Sequence, residues 1–203
     1  MEDDELAGNK EKSEGPDKAV IVLGVIGADC HAVGNQVLHF FFKAAGFKVV
    51  NLGVMVSQDE FIDAAIETGA EAILVSSLYG HGEIDCAGFR DRCVERGLEH
   101  IILYVGGNLV IGKHDFAEIE QQFKSLGFDR AFHADSDLHK AAELLKGDII
   151  RNREASQNMD SNDEYSSADS TISAGSTGSK IPTESTTSTA SITSTGYEES
   201  KVL

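Results

Sequence analysis

The sequence has few of the residues that form disulfide-bonded or zinc-stabilised folds. It contains no tryptophan, two prolines and only three cysteines among its 203 residues. Cys30, Cys86 and Cys93 are odd in number, and their spacing matches no zinc-ligand motif. A disulfide framework or a zinc knuckle is therefore disfavoured, and we expect three reduced thiols.

Long hydrophobic runs are also missing. The apolar residues come in short bursts such as AVIVLGV and EAILVSS, far below the roughly 20 consecutive apolar residues that a bilayer span requires. The first residues, MEDDELAGNKEK, are acidic and lack the apolar core of a secretory signal. We therefore expect no membrane segment and a cytoplasmic location.

Basic residues are scarce relative to acidic ones. The chain has 17 Lys and Arg against 34 Asp and Glu, a formal net charge of −17. This acidity disfavours nucleic acid and membrane partners, because a phosphate backbone or an anionic lipid surface binds a basic face. Many solvated carboxylates also suit a cytoplasm of high salt, where screening weakens their mutual repulsion.

Composition divides the chain into three segments. Residues 1–18 form an acidic head, and residues 151–203 form a Ser/Thr-rich tail with stretches such as TESTTSTASITSTG. Neither segment has enough apolar residues to offset the entropy of ordering, so we predict that both are disordered. Residues 19–150 have the size and composition of one folded domain.

In this central segment, strand-like bursts alternate with amphipathic stretches. This alternation predicts an α/β fold with a doubly wound, five-stranded parallel sheet of flavodoxin-like order. The predicted strands are Ala19–Val25, Lys48–Leu52, Ala72–Ser76, His100–Val105 and Arg130–Phe132. The predicted helices are Val33–Ala45, Ser57–Gly69, Asp85–Arg96, Phe116–Leu126 and Asp137–Leu145.

Two helices carry more detailed signals. Ser57 and Glu60 have the spacing of a capping box at the start of the second helix. The first helix has an apolar stripe at helical spacing, which we interpret as core; it comprises Val33, Val37, Phe40, Phe41 and Ala44.

Doubly wound sheets bind ligands beyond the carboxyl ends of their strands. The loops of interest are therefore Ile26–Gly34, Ser77–Glu83 and Gly106–Lys113. The first loop contains Asp29, His31 and Gly34 in the pattern D-x-H-x-x-G. A neutral imidazole is a good transition-metal ligand, and a carboxylate that accepts its other N–H fixes the tautomer. The alternative is an ordinary loop histidine exposed to solvent.

The other two loops offer small residues at strand ends. Ser76, Ser77 and Leu78 end the third strand, either as the wall of a pocket or as an ordinary polar terminus. Gly106 and Gly107 end the fourth strand, where they permit close ligand approach or simply form a turn.

Taken together, D-x-H-x-x-G, S-x-L and G-G resemble the motifs of the cobalamin-binding family. The resemblance implies that His31 replaces the cofactor's own base as lower ligand of cobalt and that Asp29 orients it. It also implies a set of residues that contact cobalamin: Ala28, Asp29, Cys30, His31, Ala32, Gly34, Ser76, Ser77, Leu78, Gly106, Gly107, Asn108, Leu109, Val110, Ile111 and Gly112.

Within that family, IVLGVIGADCHAVGNQVL, ILVSSLYGHGEIDC and LYVGGNLVIGK resemble the small subunits of glutamate mutase. This resemblance implies an isomerase that uses adenosylcobalamin and a radical mechanism to convert L-glutamate to threo-3-methyl-L-aspartate. It also implies a large catalytic barrel subunit that binds the substrate. The implied assembly is a heterotetramer of two small and two large subunits.

Four other readings are open. Other carbon-skeleton mutases are close rivals, and the substrate that a partnered complex turns over distinguishes them. A corrinoid carrier of a methyltransferase has the same histidine motif, although such carriers usually have a helical cap domain before the binding domain. A receiver-like signalling domain has the same sheet order, but it needs an acidic phospho-acceptor where this chain has Ser76 and Ser77. A flavin or dinucleotide carrier is disfavoured because GVIGADCHAVG is not G-x-G-x-x-G.

Overall fold

The structure is a computed structural model that describes residues 18–112 and 115–168, with side chains described as far as residue 158. The chain divides into two units, Met1–Asn162 and Asp163–Leu203; the sheet and the site belong to the first. Its elements are β1 Val20–Val25, α1 Ala32–Ala44, β2 Lys48–Asn51, α2 Gln58–Thr68, β3 Ala72–Ser77, α3 Gly82–Cys86, α4 Phe89–Glu95, β4 Ile102–Gly107, α5 Phe116–Ser125, β5 Arg130–His133 and α6 Leu138–Ala168.

The five strands form one parallel sheet in the order β2-β1-β3-β4-β5. The predicted α/β fold, strand count and flavodoxin-like order are therefore confirmed. The order reverses between β1 and β3, the point at which such sheets bind ligands. At the carboxyl edge the register places Val25 beside Ser76 and Ser76 beside Gly106.

Successive strand residues point to opposite faces of the sheet and so build two hydrophobic cores. On one face, Val22, Ile73 and Leu103 pack with side chains from α2, α3, α4 and α5. On the other face, Leu23 and Leu74 pack with side chains from α1 and α6. We call these the packed face and the cleft face, respectively.

Helix α2 begins and ends as its sequence predicts. The Ser57 backbone N–H donates to Glu60 Oε2 at 2.8 Å, and the Glu60 N–H donates to Ser57 Oγ at 3.3 Å, which completes the capping box. Gly69 ends the helix in the left-handed region with φ 62°, a conformation that glycine adopts without steric cost.

Two predicted helices have the wrong bounds. The helix predicted over Asp85–Arg96 is two helices, α3 and α4, because the chain turns at Ala87 and Gly88, where Gly88 has φ 75°. The last helix does not end at Leu145 but runs to Ala168. The domain boundary at residue 150 stays a prediction. The head, apart from Lys18, and residues 169–203 lie outside the described residues.

Most of the apolar stripe on α1 is not core, contrary to the sequence interpretation, although Phe41 packs against the core of the cleft face. Val33, Val37 and Phe40 are 81%, 56% and 65% exposed. The helix instead buries Asn35 and Phe42. Periodicity identified one apolar face of the helix, but it could not tell whether this chain or something else covers that face. Among the described residues, no helix is long and apolar enough to cross a membrane.

Candidate functional site

The loops after β1, β3 and β4 meet at the carboxyl edge of the sheet. The Ile26 N–H donates to the Ser76 carbonyl at 3.1 Å, which joins the first loop to the end of β3. The N–H groups of Gly80 and Gly82 donate to the carbonyls of Asn108 and Leu109, each at 3.1 Å, and join the β3 loop to the β4 loop. The predicted loops therefore form one continuous surface.

Asp29 is the polar centre of this surface. Its side chain is buried at 2% exposure, and its two oxygens have different partners. Oδ1 accepts from the His31 backbone N–H at 3.1 Å and also contacts His31 Nδ1. Oδ2 accepts from the Leu78 N–H at 2.6 Å. The carboxylate thus ties the histidine to the end of β3.

These contacts decide the charge state of Asp29. Burial by itself would raise its pKa, but hydrogen bonds from Leu78 and His31 outweigh burial and hold the pKa of Asp29 below its ordinary value. An ionised carboxylate only accepts hydrogen bonds, so His31 Nδ1 must carry the proton. In the neutral ring, Nε2 then has a free lone pair, and the His31 side chain is 46% exposed.

A cleft of about 470 Å³ opens on the cleft face beside this pair of residues. It has the size of a small-molecule site. Its apolar walls come from β1, β3, β4, α1 and α6, and Leu78 links it to Asp29. The predicted residues that line it are Gly34, Ser76, Leu78, Gly106 and Gly107.

Small residues at the strand ends create the cleft. Leu23 and Leu74 fill the sheet face toward its middle, but Ser76 and Gly106 leave space at the carboxyl edge. A Cβ on Gly107 would lie 2.1 Å from the Ser77 carbonyl oxygen, and Gly107 has φ 126°, so only glycine fits there. A Cβ on Gly34 would make only an ordinary contact of 3.7 Å with Leu78 Cδ1, so the space at the start of α1 does not require glycine.

The other residues that the sequence predicted for the site do not line the cleft. Ser77 is fully buried and belongs to the packed face, and its hydroxyl has no hydrogen-bond partner among the described residues. Leu109 is buried in the packed core, and Val110 bridges to His81. Those that do not line the cleft are Ala28, Asp29, Cys30, His31, Ala32, Ser77, Asn108, Leu109, Val110, Ile111 and Gly112. Their roles toward a ligand stay predictions.

Sequence reasoning did not assign several residues that line the cleft to the site. The loop after β5 supplies His133, Ala134, Asp135 and Ser136, α1 supplies Val37, Leu38 and Phe42, and α6 supplies Leu138 and Ala141. The β5 loop carries no motif, but it follows a parallel strand, so the rule that ligands bind beyond the carboxyl ends could have found it.

Among the described residues, His31 does not belong to a cluster of protein metal ligands, and the carboxylate of Asp29 that contacts it binds its Nδ1. In residues 18–112 and 115–168, no three His, Cys, Asp or Glu side chains come together as a metal-binding group. A metal held here by His31 must therefore bring most of its own ligands. This donor set fits a metal within a macrocycle and does not fit a bare ion.

Comparison with known proteins agrees with this geometry. Residues 19–127 match the family model described as the B12 binding domain. The glutamate mutase sigma subunit of Escherichia coli O157:H7 is 66% identical over 132 residues, which cover 65% of this chain and 89% of that protein. The Yersinia enterocolitica sigma subunit is 68% identical over 131 residues, or 64% of this chain and 88% of that protein.

A solved structure has the same fold. The crystal structure of a novel cobalamin-binding protein from Desulfitobacterium hafniense DCB-2 superposes with a TM-score of 0.53 at 21% identity. The match covers 65% of this chain and 60% of that one. The family model spans more than half of the chain, and the sequence relatives match over most of their own length; the chain therefore belongs to the glutamate mutase sigma subunit family, with a B12 binding domain at residues 19–127.

Proposed function

We propose that this chain binds adenosylcobalamin as the small subunit of a glutamate mutase, with His31 Nε2 as the lower ligand of cobalt. The observation that carries the proposal is the buried Asp29 carboxylate, which engages His31 Nδ1 and leaves Nε2 available. A ligand histidine usually donates its other ring N–H to a carboxylate or a carbonyl.

The residues present fit this cofactor. A single histidine suits cobalt because the corrin ring supplies the equatorial ligands. The cofactor's own base, once displaced by the histidine, needs an apolar slot near the metal, and the cleft beside Leu78 offers one. Gly106 and Gly107 let such a flat group approach the sheet end closely.

The chain's own residues bind and orient the cofactor. Asp29 keeps the proton on His31 Nδ1, and the Leu78 N–H fixes Asp29 in turn. When the cofactor is bound, the apolar walls of the cleft would keep water from its nucleotide tail. When bound, adenosylcobalamin would supply the radical chemistry that converts L-glutamate to threo-3-methyl-L-aspartate, an isomerase reaction. No acid or base from this chain is needed for that step.

The same proposal includes a partner. The relatives of this chain are called sigma subunits, a name that implies a second kind of subunit. Exposed apolar side chains near the site support the docking of such a partner. Four large apolar side chains that follow the carboxyl ends of β1, β2, β3 and β4 form what we call the apolar rim. They are between 63% and 81% exposed: Val33 at the start of α1, Met55 in the loop after β2, Ile84 on α3 and Ile111 in the loop after β4. Grouped apolar side chains of this kind mark interaction surfaces. We propose that a large catalytic subunit covers this rim in a cytoplasmic heterotetramer, with L-glutamate bound on the large subunit.

Reconstitution tests the proposal. The full chain, the large subunit from the same organism and adenosylcobalamin are mixed with L-glutamate, and 3-methylaspartate is followed by proton NMR. We expect product only when all three components are present. Failure of the chain to bind cobalamin would contradict the proposal. Loss of the methyl group from bound methylcobalamin to a methyl acceptor, without mutase activity, would favour a methyltransferase corrinoid carrier.

A further inference from the structure

A second contact joins the two loops that hold His31, next to the contact made by Asp29. The Tyr79 hydroxyl donates to Asp85 Oδ2, and the Asp85 carboxylate packs against Gly27 in the first loop. The chain of contacts from Tyr79 through Asp85 to Gly27 ends two residues before Asp29.

Asp85 is held firmly against the first loop. A Cβ on Gly27 would lie 2.3 Å from Asp85 Oδ2, so the carboxylate packs directly on the glycine backbone. From the other side, Gln58 Nε2 donates to the Asp85 carbonyl at 2.7 Å and to the Ala87 carbonyl at 3.0 Å. Helix α2 thus fixes α3, and α3 fixes the carboxylate.

The two contacts start from consecutive residues of the loop after β3. Leu78 donates to Asp29, and Tyr79 is linked to Gly27 through Asp85. His31 follows two residues later at the start of α1, where its own side chain makes no capping hydrogen bond. The orientation of the imidazole therefore depends on how firmly these two contacts hold the segment from Gly27 to Asp29.

We propose that Tyr79 and Asp85 are positioning residues for His31, acting through the Gly27 backbone to set the imidazole where cobalt is bound. This inference rests on the proposed function.

The alternative is that the Tyr79–Asp85 bond only stabilises the fold. Three variants separate the two roles. Tyr79→Phe removes the hydroxyl, and Asp85→Asn keeps the shape of the acceptor but removes its charge. Glu83→Gln is the matched control, because Glu83 lies on the same helix, is exposed and undergoes the same change of charge.

The first measurement uses the full chain without cofactor. Amide hydrogen exchange is followed by NMR at Gly27, whose N–H donates to the Val56 carbonyl, at Leu78 and at a core residue such as Leu103. In Tyr79→Phe we expect faster exchange at Gly27, with Leu103 unchanged relative to the wild type and Glu83→Gln. Equal acceleration at all three amides would show a global loss of stability and would overturn the local positioning role.

The second measurement uses cob(II)alamin. Electron paramagnetic resonance reports the fraction of cobalt with an imidazole ligand, and the same titration gives the dissociation constant. For Tyr79→Phe and Asp85→Asn we expect a smaller histidine-ligated fraction and about threefold to tenfold weaker binding, the equivalent of one net hydrogen bond. Glu83→Gln should match the wild type in both readouts.

The double variant Tyr79→Phe/Asp85→Asn should be no worse than the more affected single variant, since both remove the same bond. If the wild type shows a histidine-ligated spectrum and the variants match it, the positioning role is wrong while the proposed function stands. If the wild type itself shows no histidine ligation, the proposed function fails.

Discussion

The two faces of the sheet are built from the same strands but are packed differently. On the packed face, Phe61, Phe89, Phe123 and Phe128 are at most 2% exposed and contact one another at centroid distances of 5.8 to 6.0 Å. On the cleft face, the small residues at the ends of β3 and β4 leave a cavity beside Phe42. The difference lies in side-chain size at the carboxyl edge and not in the backbone.

This difference separates stability from function. Aromatic contacts and full burial on the packed face supply much of the hydrophobic free energy of folding. The cleft face is less tightly packed at Ser76 and Gly106, because these residues are small. The space that they leave is large enough for a ligand. Substitutions on the packed face should therefore mainly lower the stability of the fold, and substitutions that line the cleft should mainly weaken cobalamin binding.

Replacing His31 with Gly should produce the largest effect. We expect no measurable turnover by the reconstituted complex, because no other imidazole is held in its place, while the melting temperature changes little since His31 is exposed. His100→Ala is the control, because His100 is an exposed histidine shortly before the start of β4, at the opposite edge of the sheet. Full activity of the His31 variant would contradict the assignment of His31 as the cobalt ligand.

Phe61→Ala and Phe42→Ala compare the faces directly. Phe61 is fully enclosed, so its truncation should cost about 3–5 kcal/mol of unfolding free energy. Phe42 lines the cleft, and its truncation should cost less because one side of the ring already lacks contacts. Urea denaturation measures both, with cobalamin affinity as the second readout. Equal stability losses would show that the cleft face is packed as tightly as the other.

Much of this arrangement could be predicted from the sequence. Short apolar segments predicted the five strands. The pattern D-x-H-x-x-G predicted the contact between Asp29 and His31 that the structure contains. The two Gly residues after β4 do line the cleft. Local patterns suffice here because the residues involved are close in sequence or lie at strand ends.

The rest depends on contacts that no local pattern contains. The stripe on α1 looks like core because its spacing is right, yet Val33 and Phe40 are exposed. Ser76 and Ser77 look equivalent in sequence, but the alternation along β3 sends only Ser76 to the cleft. The bond between Tyr79 and Asp85 joins a loop to a helix that was predicted with the wrong start.

Asp29→Asn tests the hydrogen-bonded pair more gently. The neutral amide of Asn accepts a weaker hydrogen bond from His31 Nδ1–H than the charged carboxylate does. We therefore expect turnover and cobalamin affinity to fall by about 10- to 100-fold. The wild-type pKa of Asp29 is depressed, so its contribution to stability is present above the ordinary value of 3.8 and is lost as pH falls through the lower folded value. Melting curves from pH 7 to pH 2 should therefore fall less steeply in the variant; identical acid profiles would contradict this account.

Filling the cleft should have the smallest effect. A Cβ on Gly106 would meet Phe132 at an ordinary 3.5 Å, so Gly106→Val should fold while its methyl groups occupy part of the cavity. We expect roughly tenfold weaker cobalamin binding, as overpacking typically costs 1–3 kcal/mol. Gly147→Ala on α6, away from the cleft, should leave affinity unchanged. An equal loss in both variants would remove the cleft from the binding site.

The central claim is that His31 holds the cobalt, and one measurement tests it most directly. The full chain is prepared with natural histidine and again with nitrogen-15 histidine, and each sample is mixed with cob(II)alamin for electron paramagnetic resonance. The account predicts that the superhyperfine splitting changes with the isotope and that His31→Gly abolishes this change. A splitting that is insensitive to the label would contradict it.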